Sequence, residues 1–421
     1  MNHTSEPLSA LDPAPEQRAA FTERLHQWGR ETRFRLCFLR YRVADVSHTS
    51  SSDWDLVVPE PVPAAAELQT RIGAPLVTVP RHFVTQHFHR EGQIDFLPRL
   101  EWHGWEYLEA GRFWSQVRSG ADGLPRPALA HDAWIAWMTG LLWGARFNPK
   151  YRNLILQAWG EAPSEMEACA RWAFGCETAG PLLATLARGE PGEAVALVSK
   201  LRRSLGLQSL RRSPLKALAG WWNHWRGEAR LHRSPPYPWI AFLGSDPALV
   251  AIIHRKLAEY LEARRFHLIS TGWRPFLFGK TDSTSAGRPP LHPAALAFDW
   301  WVGWLKYLHA RAIHSMVLSE GGYPDLLADP ERHGYSASSP RLEMILRFFP
   351  PLDRVIILDT DPAKVTERNP SVSPEEARAR TKAYRRLADR ESHFLLDAEQ
   401  PVEVVVDQII KRIFSPSPTT P

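Results

Sequence analysis

Cysteine is nearly absent from this chain, with three residues in 421: Cys37, Cys169 and Cys176. An odd count cannot close a paired disulfide framework. Cys169 and Cys176 also stand seven apart in a helix-like run, so buried thiols in a reducing cytoplasm are the expectation. Long hydrophobic runs are missing too. The longest uncharged apolar stretch, residues 133–145, falls short of the ~18 residues a spanning helix needs, which argues against a transmembrane segment. The first fifteen residues are polar and lack a basic-then-apolar order, so no secretory signal is expected. A strong charge of one sign is also lacking. The net charge of +5 and pI near 9.1 do not by themselves imply a nucleic-acid partner. No internal repeat or long low-complexity tract interrupts the chain.

What is present is ordinary globular material, 44% hydrophobic and 23% charged, long enough for about two or three domains. Periodicity divides it into two patterned blocks and a bridge. The first block opens with a helix over 15–28, followed by β-rich segments around 34–39, 54–58 and 92–97. From residue 131 to about 205 the spacing is helical. The 18 tryptophans recur at helical intervals, as in Trp134 and Trp137 or Trp221, Trp222 and Trp225, and core packing is the plain expectation for them. The bridge, 200–233, carries nine Lys/Arg against one acid, Glu228. It reads as a basic aromatic helix that either rests on a neighbour or makes peripheral contact with an anionic membrane or polyanion.

From residue 238 short apolar strands alternate with helices. The strands are expected at 239–243, 266–270, 313–318, 354–359 and 394–397, and the helices at 249–264, 292–310 and 373–390. That alternation predicts an α/β fold, a doubly wound parallel sheet of five strands. The expected organisation is an α+β domain over 1–130, its helical extension over 131–199, a basic Trp-containing linker over 200–237 and the doubly wound domain over 238–415.

The strand at 239–243 runs into Gly244-Ser245-Asp246 and then a helix, the context of a phosphate-binding loop. With Thr271-Gly-Trp-Arg274-Pro, Tyr323-Pro-Asp-Leu-Leu-Ala-Asp-Pro330, Val355-Ile-Ile-Leu-Asp359, Asp361-Pro362, Arg368 and the Tyr384-Arg385 pair, this block resembles thymidylate-kinase-like P-loop proteins. The resemblance is to the variety encoded with bacterial polysaccharide biosynthesis. It implies a nucleotide or phosphate site formed by Gly244, Ser245, Asp246, Arg274, Glu320 and Arg368, with Arg274 and Arg368 facing the second substrate. The departures carry as much information. Where the family pattern places a glycine, a lysine and a hydroxyl, this chain has Leu249, Val250 and Ala251, and Glu320-Gly321 replaces an Asp-Arg pair. The glycine allows backbone amides to wrap phosphates, the lysine offsets developing charge and the hydroxyl holds Mg²⁺. A pseudokinase is the expectation for this half.

Ahead of it, Ser50-Ser-Ser-Asp53-Trp54-Asp55 sets two carboxylates on one face of a strand, with Asp95 in a second strand-like segment. Three such acids can hold a divalent cation for in-line attack on a nucleoside triphosphate. The region resembles nucleotidyltransferase-like domains fused ahead of thymidylate-kinase-like ones. The resemblance implies Asp53, Asp55 and Asp95 as catalytic metal ligands, with Mg²⁺ and a nucleotide as cofactors. The usual Gly-Ser before the acid pair is absent. His82, His87, His89, His103 and His131 complete no zinc motif with a cysteine or carboxylate at ligand spacing, and His87 and His89 read as a polar strand face. The cytoplasmic protein expected from all this takes a nucleotide or phosphorylated small molecule. A non-catalytic scaffold and a weak kinase with relocated groups are the alternatives.

Overall fold

The computed structural model describes residues 14–39, 53–75, 77–81, 83–89, 91–263, 266–272, 293–313, 315–330, 344, 346–390 and 392–414. These form two compact units that divide between Ala229 and Arg230.

In the first unit, helix α1 (Pro15–Glu31) starts on a proline that presets its first turn, and buries Phe21, Leu25 and Trp28 at four- and three-residue spacing. Strands β1 (Cys37–Phe38) and β2 (Asp53–Val57) follow, then α2 (Pro61–Ile72), β3 (Val77–Pro80), β4 (Thr85–Phe88) and β5 (Gln93–Leu97). They form one sheet in the order β1-β2-β5-β4-β3, with β2 and β5 parallel and the other pairs antiparallel. Trp54, Leu56, Ile94 and Phe96 meet α1 and α2 across a single apolar layer. The other face is divided. Val57 and Leu97, at the carboxyl ends of β2 and β5, are covered by the helical core, whereas Asp53 and Asp55, toward the amino end, keep solvent contact.

A hairpin of β6 (Glu101–Trp102) and β7 (Trp105–Glu106) leads to α3 (Ala110–Ser115) and to the short pair β8 (Arg118–Ser119) and β9 (Pro125–Arg126). Five helices follow: α4 (Leu129–Gly144), α5 (Arg152–Glu161), α6 (Pro163–Ala187), α7 (Val198–Arg212) and α8 (Pro214–Arg233), whose last four residues belong to the second unit. Trp134 and Trp137 are fully inside the core that α4–α7 enclose, as their spacing predicts. The basic stretch from residue 200 contributes to that core as well, because Leu201 and Leu205 of α7 are buried in it. Trp221, Trp222 and Trp225 depart from the core expectation. All three are exposed, because the inner line of α8 is Ala217, Gly220 and His224 instead.

The second unit is a five-stranded, all-parallel sheet of β10 (Trp239–Gly244), β11 (His267–Gly272), β12 (Ser315–Glu320), β13 (Arg354–Asp359) and β14 (His393–Asp397), in the order β11-β12-β10-β13-β14. Its helices are α9 (Pro247–Ala263), α10 (Pro293–Ile313), α11 (Asp325–Ala328), α12 (Pro362–Arg368), α13 (Pro374–Leu387) and α14 (Val402–Phe414). The third strand starts two residues later than its apolar run suggests, because α10 extends through Ile313. Trp239, Ala241 and Leu243 face Leu296 and Trp300 of α10 and Tyr384 of α13. Phe242, on the opposite face, meets His254 of α9 edge-on at 5.5 Å. A sheet covered on both faces needs strands that are apolar throughout, and all six residues of β10 are buried. The connections from β10 and β13 leave toward opposite edges, so the crevice beyond their carboxyl ends is the switch point of the fold.

Candidate functional site

In the first unit, parallel pairing of β2 with β5 sets Asp55 directly beside Asp95, and Asp53 lies one alternate position up the same face. One carboxylate oxygen from each of the three falls within 4.8 Å of the others. The three acids named from sequence are therefore brought together. Asp95 accepts from Gln93 Nε2 at 2.6 Å and from Gln86 Nε2 at 3.2 Å. Burial, followed by the charges of Asp55 and Asp53, pushes its carboxyl up to about 7 despite those bonds. Gln86, on β4, went unnoticed in the sequence, since only the β4–β5 register (Gln86 opposite Asp95) shows what it touches. Oxygen-only donors in a mutually repelling cluster suit a hard divalent cation such as Mg²⁺. The serines at 50–52 lie outside the described residues.

The loop after β10 is built differently from a phosphate cradle. Asp246 Oδ1 accepts from the backbone amides of Ala248 and Leu249 at 3.1 and 3.2 Å, and its Oδ2 accepts from Arg368 Nη1 at 2.7 Å. The first free amides of α9, where a phosphate would sit, are thus bonded to the chain's own carboxylate. Gly244 itself is closely packed: a Cβ there would lie 3.1 Å from Val250 Cγ2 and 3.0 Å from the Leu358 carbonyl oxygen. Ser245 Oγ accepts from Thr381 of α13 at 3.1 Å, within the protein. Arg368 lies on Asp246, with Glu399 a further 3.9 Å away, and Arg274 falls outside the described residues. Glu320 ends β12 and faces His254 Nδ1 at 3.3 Å, while burial lowers the imidazole's pKa. Tyr384 donates to Asp325 at 2.9 Å, and Arg385 to Asp359 at 2.8 Å.

The histidines and cysteines need three corrections. His87 and His89 are buried rather than part of a polar face, because α1 covers that side: His89 lies 5.1 Å from the Phe21 ring and His87 5.2 Å from Phe96. Burial pushes their pKa values down to about 4 and about 3. His131, which no spacing joined to a ligand, meets Glu165 and Cys169 of α6. Its Nε2 is 2.9 Å from Glu165 Oε1. Arg112 Nε reaches the same oxygen at 2.7 Å, so positive charge is already supplied there, and burial pushes the Cys169 thiol up to about 12. Such a group ties α3, α4 and α6 together rather than offering an open cation site. Cys176 is exposed, not buried. His103 sits at the β6–β7 turn and stacks on Trp102 and His224, both at 4.3 Å; residue 82 is outside the described set. A cavity of about 390 Å³ lined by Trp105, Trp172, Arg99, Arg212 and Lys216 includes none of the three aspartates.

No protein-family model matches the chain, and no curated protein matches it. The geometry alone therefore carries the functional reading.

Proposed function

We propose that the chain belongs, by chemistry, to the metal-dependent transferases that act on nucleoside triphosphates. More particularly, it is read as a cytoplasmic two-module protein: a nucleotidyltransferase-like unit ahead of a thymidylate-kinase-like unit that has lost phosphoryl transfer. One observation carries the reading, the convergence of Asp53, Asp55 and Asp95 on a solvent-reached patch of one sheet face. A divalent cation held there offsets triphosphate charge. In this reading Asp95, held by Gln86 and Gln93, fixes the base of the site, and Asp53 and Asp55 present oxygens from the neighbouring strand. The raised pKa of Asp95 fits a group that is ionised fully only when a cation joins it.

The kinase-like half is assigned binding or scaffolding, because α9 begins on a carboxylate and Val250 stands where a cation is needed. The family setting implied by the resemblance is bacterial surface-polysaccharide metabolism. Thermal shift on the full chain with Mg²⁺ and each of ATP, CTP, GTP, UTP and dTTP tests the site. A ligand at 100 times its dissociation constant adds roughly 2.7 kcal/mol. The expected result is a cation-dependent shift that Asp53→Asn/Asp55→Asn abolishes; a shift that survives the double variant, or none with any nucleotide, rejects the reading and favours the scaffold.

A further inference from the structure

Helix α8 has two sides of opposite character. On its inner line Ala217 and His224 are buried. Gly220 lies so close to Gly104 that an added Cβ would come within 2.3 Å of the Gly104 carbonyl oxygen. The outer line, Leu215, Leu218, Trp222 and Trp225, recurs at i, i+3, i+7 and i+10 with exposures of 82, 54, 62 and 48%, and Trp221 adds a fifth at 41%. A contiguous stripe of five large apolar side chains is more than the scattered apolar residues of an ordinary surface. Arg226, Arg230 and Arg233, all exposed, follow the stripe in the last two turns of the same helix. On α7, Leu207 and Leu210 are exposed together with Arg203 and Arg211. Other cations of the stretch are engaged elsewhere: Lys200 with Glu177, Lys216 with Glu106, Arg202 over Trp102 and Arg212 over Trp172.

We propose that the outer face of α8 docks on an anionic lipid surface. The tryptophan and leucine side chains enter the boundary between headgroups and acyl chains, and the arginines meet lipid phosphates. An indole has an apolar body and a polar N–H, which suits that boundary, and an apolar stripe with arginines on the same helix is the pattern of a helix lying in the interface plane. Charge decides against the other occupants. A second copy sets one basic stretch against another, with nine Lys/Arg to one acid over 200–233 in each, and a protein groove would have to supply acids for the arginines that follow the stripe. A lipid surface supplies negative charge at every point and imposes no shape.

The test is flotation of the full chain with vesicles of phosphatidylcholine alone, or of phosphatidylcholine with phosphatidylglycerol as roughly two-fifths of the lipid, at low and high salt. The expected result is binding to the anionic vesicles at low salt, weaker by about tenfold at high salt or on phosphatidylcholine alone. Trp222→Glu/Trp225→Glu and Arg226→Glu/Arg230→Glu each remove that binding with the melting temperature kept, since all four side chains are exposed. Failure to float at low salt, equal binding to both vesicles, or binding unchanged in the tryptophan variant overturns the proposal. So does a dimer on size exclusion that Trp222→Glu/Trp225→Glu disperses, which assigns the face to a second copy. Asp53→Asn/Asp55→Asn leaves flotation unchanged, so failure at the carboxylate site is distinguishable from failure here.

Discussion

The carboxyl of Asp95 is raised to about 7 because burial and two neighbouring aspartates all oppose its ionisation. In the unfolded chain it ionises near 4. Between those values the folded protein holds a proton that the unfolded chain has released, so this contribution to stability is complete below about pH 4 and is lost as pH rises through 7. The metal-free protein is therefore expected to lose melting temperature from about pH 4 to pH 7 and to level off above that. Asp95→Asn removes that loss and stabilises at pH 8 by on the order of 1–2 kcal/mol, and Mg²⁺ reverses it only in the parent chain; scanning fluorimetry across pH reads all three. A slope unaltered by Asp95→Asn locates the proton elsewhere. Asp246 sets the opposite case, a carboxylate stabilised by two amides and a guanidinium. Asp246→Ala is expected to cost about 1–3 kcal/mol in denaturant unfolding. Asp246→Asn costs less, since an amide oxygen still caps α9.

At the scale of elements, the contact of α8 with the β6–β7 hairpin is made by two glycines. Gly104 holds φ +84°, a left-handed conformation, and its backbone meets that of Gly220 with no room for a Cβ on either side. Gly220→Ala therefore pushes α8 away from the hairpin at a cost of about 1–3 kcal/mol, whereas Ala219→Gly or Ala219→Ser, on the exposed side, costs under about 1 kcal/mol; comparing their melting temperatures separates contact from propensity. Strand β2 was legible because its residues alternate: Asp53 and Asp55 against Trp54 and Leu56. The four-residue strands β3 and β4 were not, since β4 runs Thr-Gln-His-Phe, buries its adjacent His87 and Phe88 and gives no alternation to read. The stripe on α8 read as core because periodicity reports that a face is apolar, not whether anything covers it.

Across the whole molecule, each unit has its own core, so a ligand on the aspartates acts first on the unit that holds them. Hydrogen exchange with Mg²⁺ and a triphosphate is expected to gain protection in residues 53–57 and 85–97 while residues 239–244 stay unchanged; protection gained at 239–244 instead moves the nucleotide to the second unit. Phosphoryl transfer from ATP to a nucleoside monophosphate is expected to be absent, and turnover lost on Asp246→Asn would overturn that. The sequence by itself determined the five parallel strands of the second unit, because short segments with an apolar centre alternate with helical periodicity there. It also determined the placement of Asp53 and Asp55 on one face, because strand alternation is local. Only the tertiary structure decided that β2 lies parallel to β5 and puts Asp95 beside them, that Asp246 turns inward to α9 and Arg368, and that Trp221, Trp222 and Trp225 stay exposed. The pairings of Asp55 with Asp95 and of Asp246 with Arg368, 40 and 122 positions apart, depend on which surface packs against which and leave no trace in local spacing.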